Sequence, residues 1–271
     1  MSISNELITL SRQTESILCS PFEWCHVPGG VAPLFDASHY GGTTGGTYQV
    51  ADFAIAKYLI TNTQYQKFID HPNGFCNPQW WQFSSQGIQW QKDHSNPKRT
   101  AFAGPDLPRT RVSWFDSMAF CYWLSAELNV EVCLPAEQEW QRAAVGDTGW
   151  SYPWGNELDE TRANFANRVG QVSAVGSFPD GQSPFGVMDM TGNLWEWCLT
   201  AWGTDSINLN GYAYRIIRGG AWNVSNPEYL RAIDRGEGHS PRGRLNDCGF
   251  RIALPLPSKS RTARAVKEIS T

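Results

Sequence analysis

Hydrophobic and polar positions along the chain predict three helices. In TNTQYQKFIDH, Thr61 is placed to cap a segment with Tyr65, Phe68 and Ile69 at helical spacing, and His71-Pro72 ends it. Ser113 precedes WFDSMAFCYWLSAEL, with Asp116 placed as the partner of a short capping box. That segment is apolar nearly all round from Met118 to Leu124, which predicts a helix in the middle of the domain. A third helix starts at Pro135, carries Trp140, Ala143 and Ala144 on one face, and stops at Gly146. Strand-like runs ADFAIAKYLI, YRIIRG and GFRIAL are separated by stretches of Gly, Pro, Asn and Asp. Helices bunched early and short strands late predict the α+β class. Residues 1–21 are expected to form an arm or a short helix, and residues 256–271 a flexible basic tail with Arg261, Arg264 and Lys267.

Composition refines this picture. A chain of 271 residues can bury a core without a metal or disulfide staple. Thirteen Trp beside 25 Gly and 16 Pro suit a loop-rich fold whose aromatic side chains fill the gaps between irregular segments, not a bundle or solenoid. A net charge of -4 argues against a nucleic-acid partner. The start lacks a basic region followed by an apolar run, and nothing later approaches the ~20 apolar residues of a span. The chain is therefore expected to be cytoplasmic, with no membrane partner. Seven scattered cysteines without a C-x-x-C read as buried free thiols.

Two stretches carry candidate chemistry. In Gly192-Asn193-Leu194-Trp195-Glu196-Trp197 a carboxylate lies between two indoles, so Glu196 needs a cation, a donor cluster or a surface location. From Trp222 to Cys248 the chain is polar, glycine-rich and broken by prolines, and is expected to be too polar to bury itself. Apolar RIIRGG and GFRIAL frame it, the arrangement of a binding loop held by a rigid sheet. The plain alternative is a long surface connection.

The series FAIAKYLITNTQY, RVSWFDSMAFCYWLS, LPAEQEWQRAAVG, YPWGN, FGVMDMTGNLWEW, RIIRGGAWN and CGFRIAL is similar, in order, to the formylglycine-generating-enzyme-like (sulfatase-modifying-factor) family over residues 22–255. The resemblance implies an elaborated C-type-lectin fold, with two main helices packed on twisted, mostly antiparallel sheets joined by many loops. It also implies calcium held by Asp189, the carbonyls of Gly192 and Leu194, and Glu196, all hard oxygen donors. The alternative for Glu196 is a salt bridge to an arginine. A second calcium site is not expected, because RVGQVSAVGSF after Ala166-Asn167 lacks the family's acidic insertion.

Catalytic members of the family oxidise a sulfatase cysteine using copper, dioxygen and a thiolate pair, whose positions fall here on Val224 and Tyr229. Another branch holds iron with histidines at H-x-x-x-H-x-E, a spacing that His26, His39, His71, His94 and His239 never approach. Neither copper nor iron is therefore expected, and the chain is expected not to be an enzyme. It reads as a module that binds a protein ligand of unknown identity through residues 222–248. Candidate contacts are Trp222, Val224, Ser225, Tyr229, Asp234, Gly236, His239, Arg242, Leu245 and Asp247. The RGG-x-W-N start and GFR ending resemble the variable proteins of diversity-generating retroelements, although Glu237 is not reachable by their adenine mutation of Asn codons. The alternatives are an oxidoreductase of the formylglycine-generating or non-haem iron type, and an accessory domain for a fixed protein partner.

Overall fold

The computed structural model describes residues 3–235 and 238–256. The first segment is a full helix, α1 (Ile3–Leu18), which buries Leu7, Thr14 and Leu18. It is pinned where the Trp24 indole N–H donates to Thr14 Oγ1 at 3.1 Å and the Trp24 backbone N–H to Ser11 Oγ at 2.9 Å. Four strands follow, β1 (Trp24–Val27), β2 (Gly30–Leu34), β3 (Gly46–Val50) and β4 (Phe53–Ala56). Strands therefore lie early as well as late, a correction to the predicted order. These are four- and five-residue strands, too short for alternation to stand out among their glycines and prolines.

Helices α2 (Asn62–Asp70), α3 (Ser85–Asp93), α4 (Trp114–Leu128) and α5 (Glu137–Val145) come next. Both predicted N-caps form, and each is a full capping box. Gln64 N–H donates to Thr61 Oγ1 while the Gln64 side chain accepts from Thr61 N–H, and Ser113 and Asp116 exchange the same two bonds at 3.0 and 2.8 Å. Helix α5 begins two residues later than Pro135, with the Glu139 carboxylate accepting the Ala136 N–H. Helix α4 is buried on nearly every side, and its Phe120 and Trp123 join Tyr65, Phe68, Phe75, Trp81 and Phe250 in one cluster of edge-to-face, tilted and stacked rings.

The remaining strands are β5 (Trp195–Ala201), β6 (Arg215–Arg218), β7 (Gly238–His239), β8 (Cys248–Gly249) and β9 (Ala253–Pro255). They complete three small sheets, ordered β1-β4-β9, β2-β3 and β7-β6-β5-β8. All pairs are antiparallel except β5 with β8. Pairing of β4 with β9 joins the early and late parts of the chain in one sheet, and β5 and β6 form the floor on which the 222–248 segment rests.

Candidate functional site

Three ion-pair systems tie the stretch 215–251 to the scaffold. Arg218 and Arg235 both reach the buried Glu137 carboxylate of α5, at 2.7 Å each, and Arg235 also pairs with Asp205 at 2.9 Å. Arg244 grips both oxygens of Asp116, the capping residue of α4, at 2.7 and 2.8 Å, and its guanidinium lies over the Trp90 ring. Arg251 binds both oxygens of Glu196 on β5, at 2.6 and 2.7 Å. Bidentate arginine–carboxylate pairs fix direction as well as distance, so Arg235, Arg244 and Arg251 are fixed points of the stretch.

The segment is accordingly less exposed than its polarity predicts. Leu230, Ala232, Arg235, Pro241 and Cys248 are buried, and Trp222, Val224, Tyr229 and Leu245 pack partly against the apolar core. Arginine clamps and alternate apolar residues do the burying, a combination that mean polarity conceals.

The predicted contacts fall into three places. In the first, the Trp222 ring stands edge-on to Phe102 at 5.6 Å, Val224 covers Tyr152, Phe165 and Leu230, and Ser225 is exposed. There Asn223 donates to Asp247 at 3.2 Å, and Arg111 reaches the Leu245 carbonyl and the Asn246 side chain. In the second, Asp234 lines a pocket of about 240 Å³ with Phe35, His39, Tyr40, Glu228 and Arg231. In the third, His239 pairs with Arg215 across β7 and β6, and Arg242 lies over the Tyr212 ring, 5.1 Å from its centroid. Gly236, with Glu237 and the expected tail from residue 257 on, lies outside the described residues.

Arg111, Phe35, Tyr40 and Tyr212 were not singled out by sequence reasoning. Aromatic residues isolated among small ones, as in FDASHYGGTTGG, were the available cue.

The residues proposed for calcium do not fit it. Both oxygens of Glu196 are held by Arg251, and one also accepts the Trp140 indole N–H at 2.9 Å, so the guanidinium stands where a cation would need to be. Glu196 thus has the arginine partner considered as its alternative. Gly192 serves the turn itself: its φ is +73°, and a Cβ there would fall 2.3 Å from the Asn164 carbonyl oxygen.

Asp189 accepts the Gly176 N–H at 2.8 Å, and burial pushes its carboxyl up to about 6 from 3.8. A raised acid pKa means that the fold binds the proton more tightly than the unfolded chain does, so stability falls as pH rises from about 4 through 6. At neutral pH the ionised group costs about 3 kcal/mol. Asn tolerates the left-handed φ of 58° found here. Asp189→Asn should therefore stabilise the protein by about 1–3 kcal/mol at pH 8 and by almost nothing at pH 4. Urea denaturation at both pH values measures it, and an equal effect at the two would contradict the assignment.

Burial raises the thiols of Cys121, Cys198 and Cys248 well above their ordinary value and that of Cys25 to about 11, which leaves them inert. The histidines lie apart. His26 is beside Asp52, His71 beside Glu127, and His94 is stacked on Trp90. Among the described residues no three His, Cys, Asp or Glu side chains gather as metal ligands. No helix among them is long and apolar enough to cross a membrane.

The sulfatase-modifying factor enzyme 1-like domain matches residues 22–256. The chain belongs to this family. It is 31% identical over 240 residues to a hercynine oxygenase of Mycobacterium tuberculosis, an alignment covering 76% of this chain and 53% of the relative. The chain thus spans about half the length of that relative. It is 25% identical to the inactive C-alpha-formylglycine-generating enzyme 2 of Mus musculus, over 84% of each chain. The structure of Treponema denticola variable protein 1 superposes with a TM-score of 0.64 at 21% identity, over 86% of this chain and 95% of the other, which establishes the shared fold.

These findings correct one expectation. The missing thiol pair at Val224 and Tyr229 suggested a chain that is not an enzyme, but relatives named as oxygenases align with three quarters of this chain at about 30% identity. Enzymatic activity belongs to the family, and absence of the copper-type pair does not place this chain outside it.

Proposed function

We propose that this domain is a recognition module whose ligand, a protein, is bound by the exposed part of the 222–247 segment together with the neighbouring 35–45 and 205–214 loops. The observation that carries this reading is a rim of aromatic side chains left in solvent. Phe35, Tyr40, Tyr212 and Tyr214 are between 45% and 61% exposed, and Arg242 lies over Tyr212. Aromatic and arginine side chains on a rigid base are the groups that dominate protein interfaces. Trp202 holds the loops together. Its backbone N–H donates to the Tyr214 carbonyl at 2.8 Å, and Gly238 lies so close that a Cβ there would fall 2.4 Å from its ring.

Tyr40→Ala, Tyr212→Ala and Arg242→Ala combined should change stability by about 1 kcal/mol or less, since all three are exposed. Affinity for a partner captured from the native host should fall at least about tenfold. Unchanged affinity would place recognition elsewhere. Variation between gene copies confined to exposed positions such as Asn223, Ser225 and Arg242, sparing buried Leu230 and Arg235, would extend the reading to a diversified display protein.

Likeness to the hercynine oxygenases favours a second reading, in which the same face is a wall of a substrate site in an oxidoreductase. Dioxygen uptake by the purified chain with hercynine and added iron(II), reduced in the triple variant, would support it over the first.

A further inference from the structure

Most buried arginines of this protein have an evident partner. Arg142, Arg218, Arg235 and Arg251 each hold a carboxylate. Arg215 lies over the Trp114 ring at 3.9 Å and donates to the carbonyls of Leu199 and Asn208. Arg109 differs. It is only 4% exposed, yet it forms no ion pair among the described residues. One terminal nitrogen donates to the Lys98 carbonyl, the guanidinium faces the Tyr65 ring at 4.7 Å, and Nε is buried without an acceptor. A buried charge without an ion-pair partner is costly, and burial lowers the Arg109 pKa, opposed in part by Tyr65 and the Asp116 carboxylate.

Arg109 also lies between two adjoining pockets, of about 330 and 400 Å³, which share Gln66, Thr100 and Arg109 itself. Lys98 and Arg99 stand at the first, and Lys67, Asn62 and Asp70 at the second. Lys67, Lys98 and Arg99 are exposed and form no ion pair among the described residues. Four basic residues and one acidic residue therefore line the concave site. None of these residues belongs to the recognition face.

We propose that this double pocket, between α2 and the 97–109 loop, binds the phosphoryl group of a small anionic ligand. A phosphate monoester carries close to two negative charges at neutral pH, and its oxygens match the guanidinium fork. The concentration of positive charge favours such a dianion over a monocarboxylate, because the Coulomb gain scales with ligand charge.

The test uses the whole chain at low ionic strength, titrated with inorganic phosphate, acetate or chloride at matched ionic strength, with the melting temperature and the heat of binding as readouts. Phosphate should give saturable stabilisation and the other two should not. Arg109→Met, which keeps an apolar stem and removes an unpaired charge, should weaken phosphate binding at least about tenfold. Should that variant fail to fold, Lys98→Ala with Arg99→Ala, both exposed, should show a loss of similar size. A phosphate response no larger than that to acetate or chloride, or wild-type affinity in the folded variants, overturns the proposal. The recognition reading rests on other residues and survives either result.

Discussion

Glu137→Gln is expected to bring the protein close to unfolding. Its carboxylate is completely buried and receives Arg218 at 2.7 Å and Arg235 at 2.7 and 2.9 Å. Removing one partner of a buried pair costs about 3–5 kcal/mol, because the other charge is left without compensation. Here one substitution strands two guanidinium groups, although Asp205 still neutralises part of Arg235. A loss of about 5 kcal/mol would consume much of the 5–15 kcal/mol that stabilises an ordinary domain. Urea denaturation or soluble yield measures it. Replacing Glu137, Arg218 and Arg235 together by methionine should recover part of the loss, since the three fully buried charges are gone and Asp205 keeps the hydrogen bonds from Thr43 and Tyr48. A Glu137→Gln protein within about 1 kcal/mol of wild type would show that this network does not hold the 215–235 stretch.

The second large effect concerns Glu196. Glu196→Gln keeps the shape and removes the charge that neutralises Arg251, so a loss of about 3–5 kcal/mol is expected. In a domain of this size that lowers the melting temperature by roughly 10 °C. Chelators should leave the wild-type melting curve unchanged, because the carboxylate is satisfied by Arg251 and the Trp140 indole. A melting temperature lowered by chelator in the wild type, and insensitive to it in Glu196→Gln, would instead restore the calcium assignment and displace Arg251 from the carboxylate. Only the second result includes a chelator response in the wild type, so one thermal series separates them.

The legible parts of the site were those with a local signature. Two indoles around Glu196 called for a cation, a donor cluster or a surface location, and the apolar flanks of 222–248 announced a segment carried by sheet. The identity of the partner for Glu196 was not legible, because Arg251 lies 55 residues away in the chain and only folding places it there. Nor could the sequence reveal that the predicted contacts separate into three places, with Asp234 facing the 35–40 loop and Arg242 facing Tyr212.

By itself the sequence determined the α+β class, the helices capped at Thr61 and Ser113, and the central place of α4, all of which depend on neighbours within a few residues. Ordered motifs carried the family. Tertiary structure alone decided the pairing of β4 with β9, the three arginine clamps and the burial of Arg109 without an ion-pair partner among the described residues. Each of these depends on which distant side chain arrives at a buried position. The free energy of a buried charge is set by that arrival and not by the residues beside it in the chain.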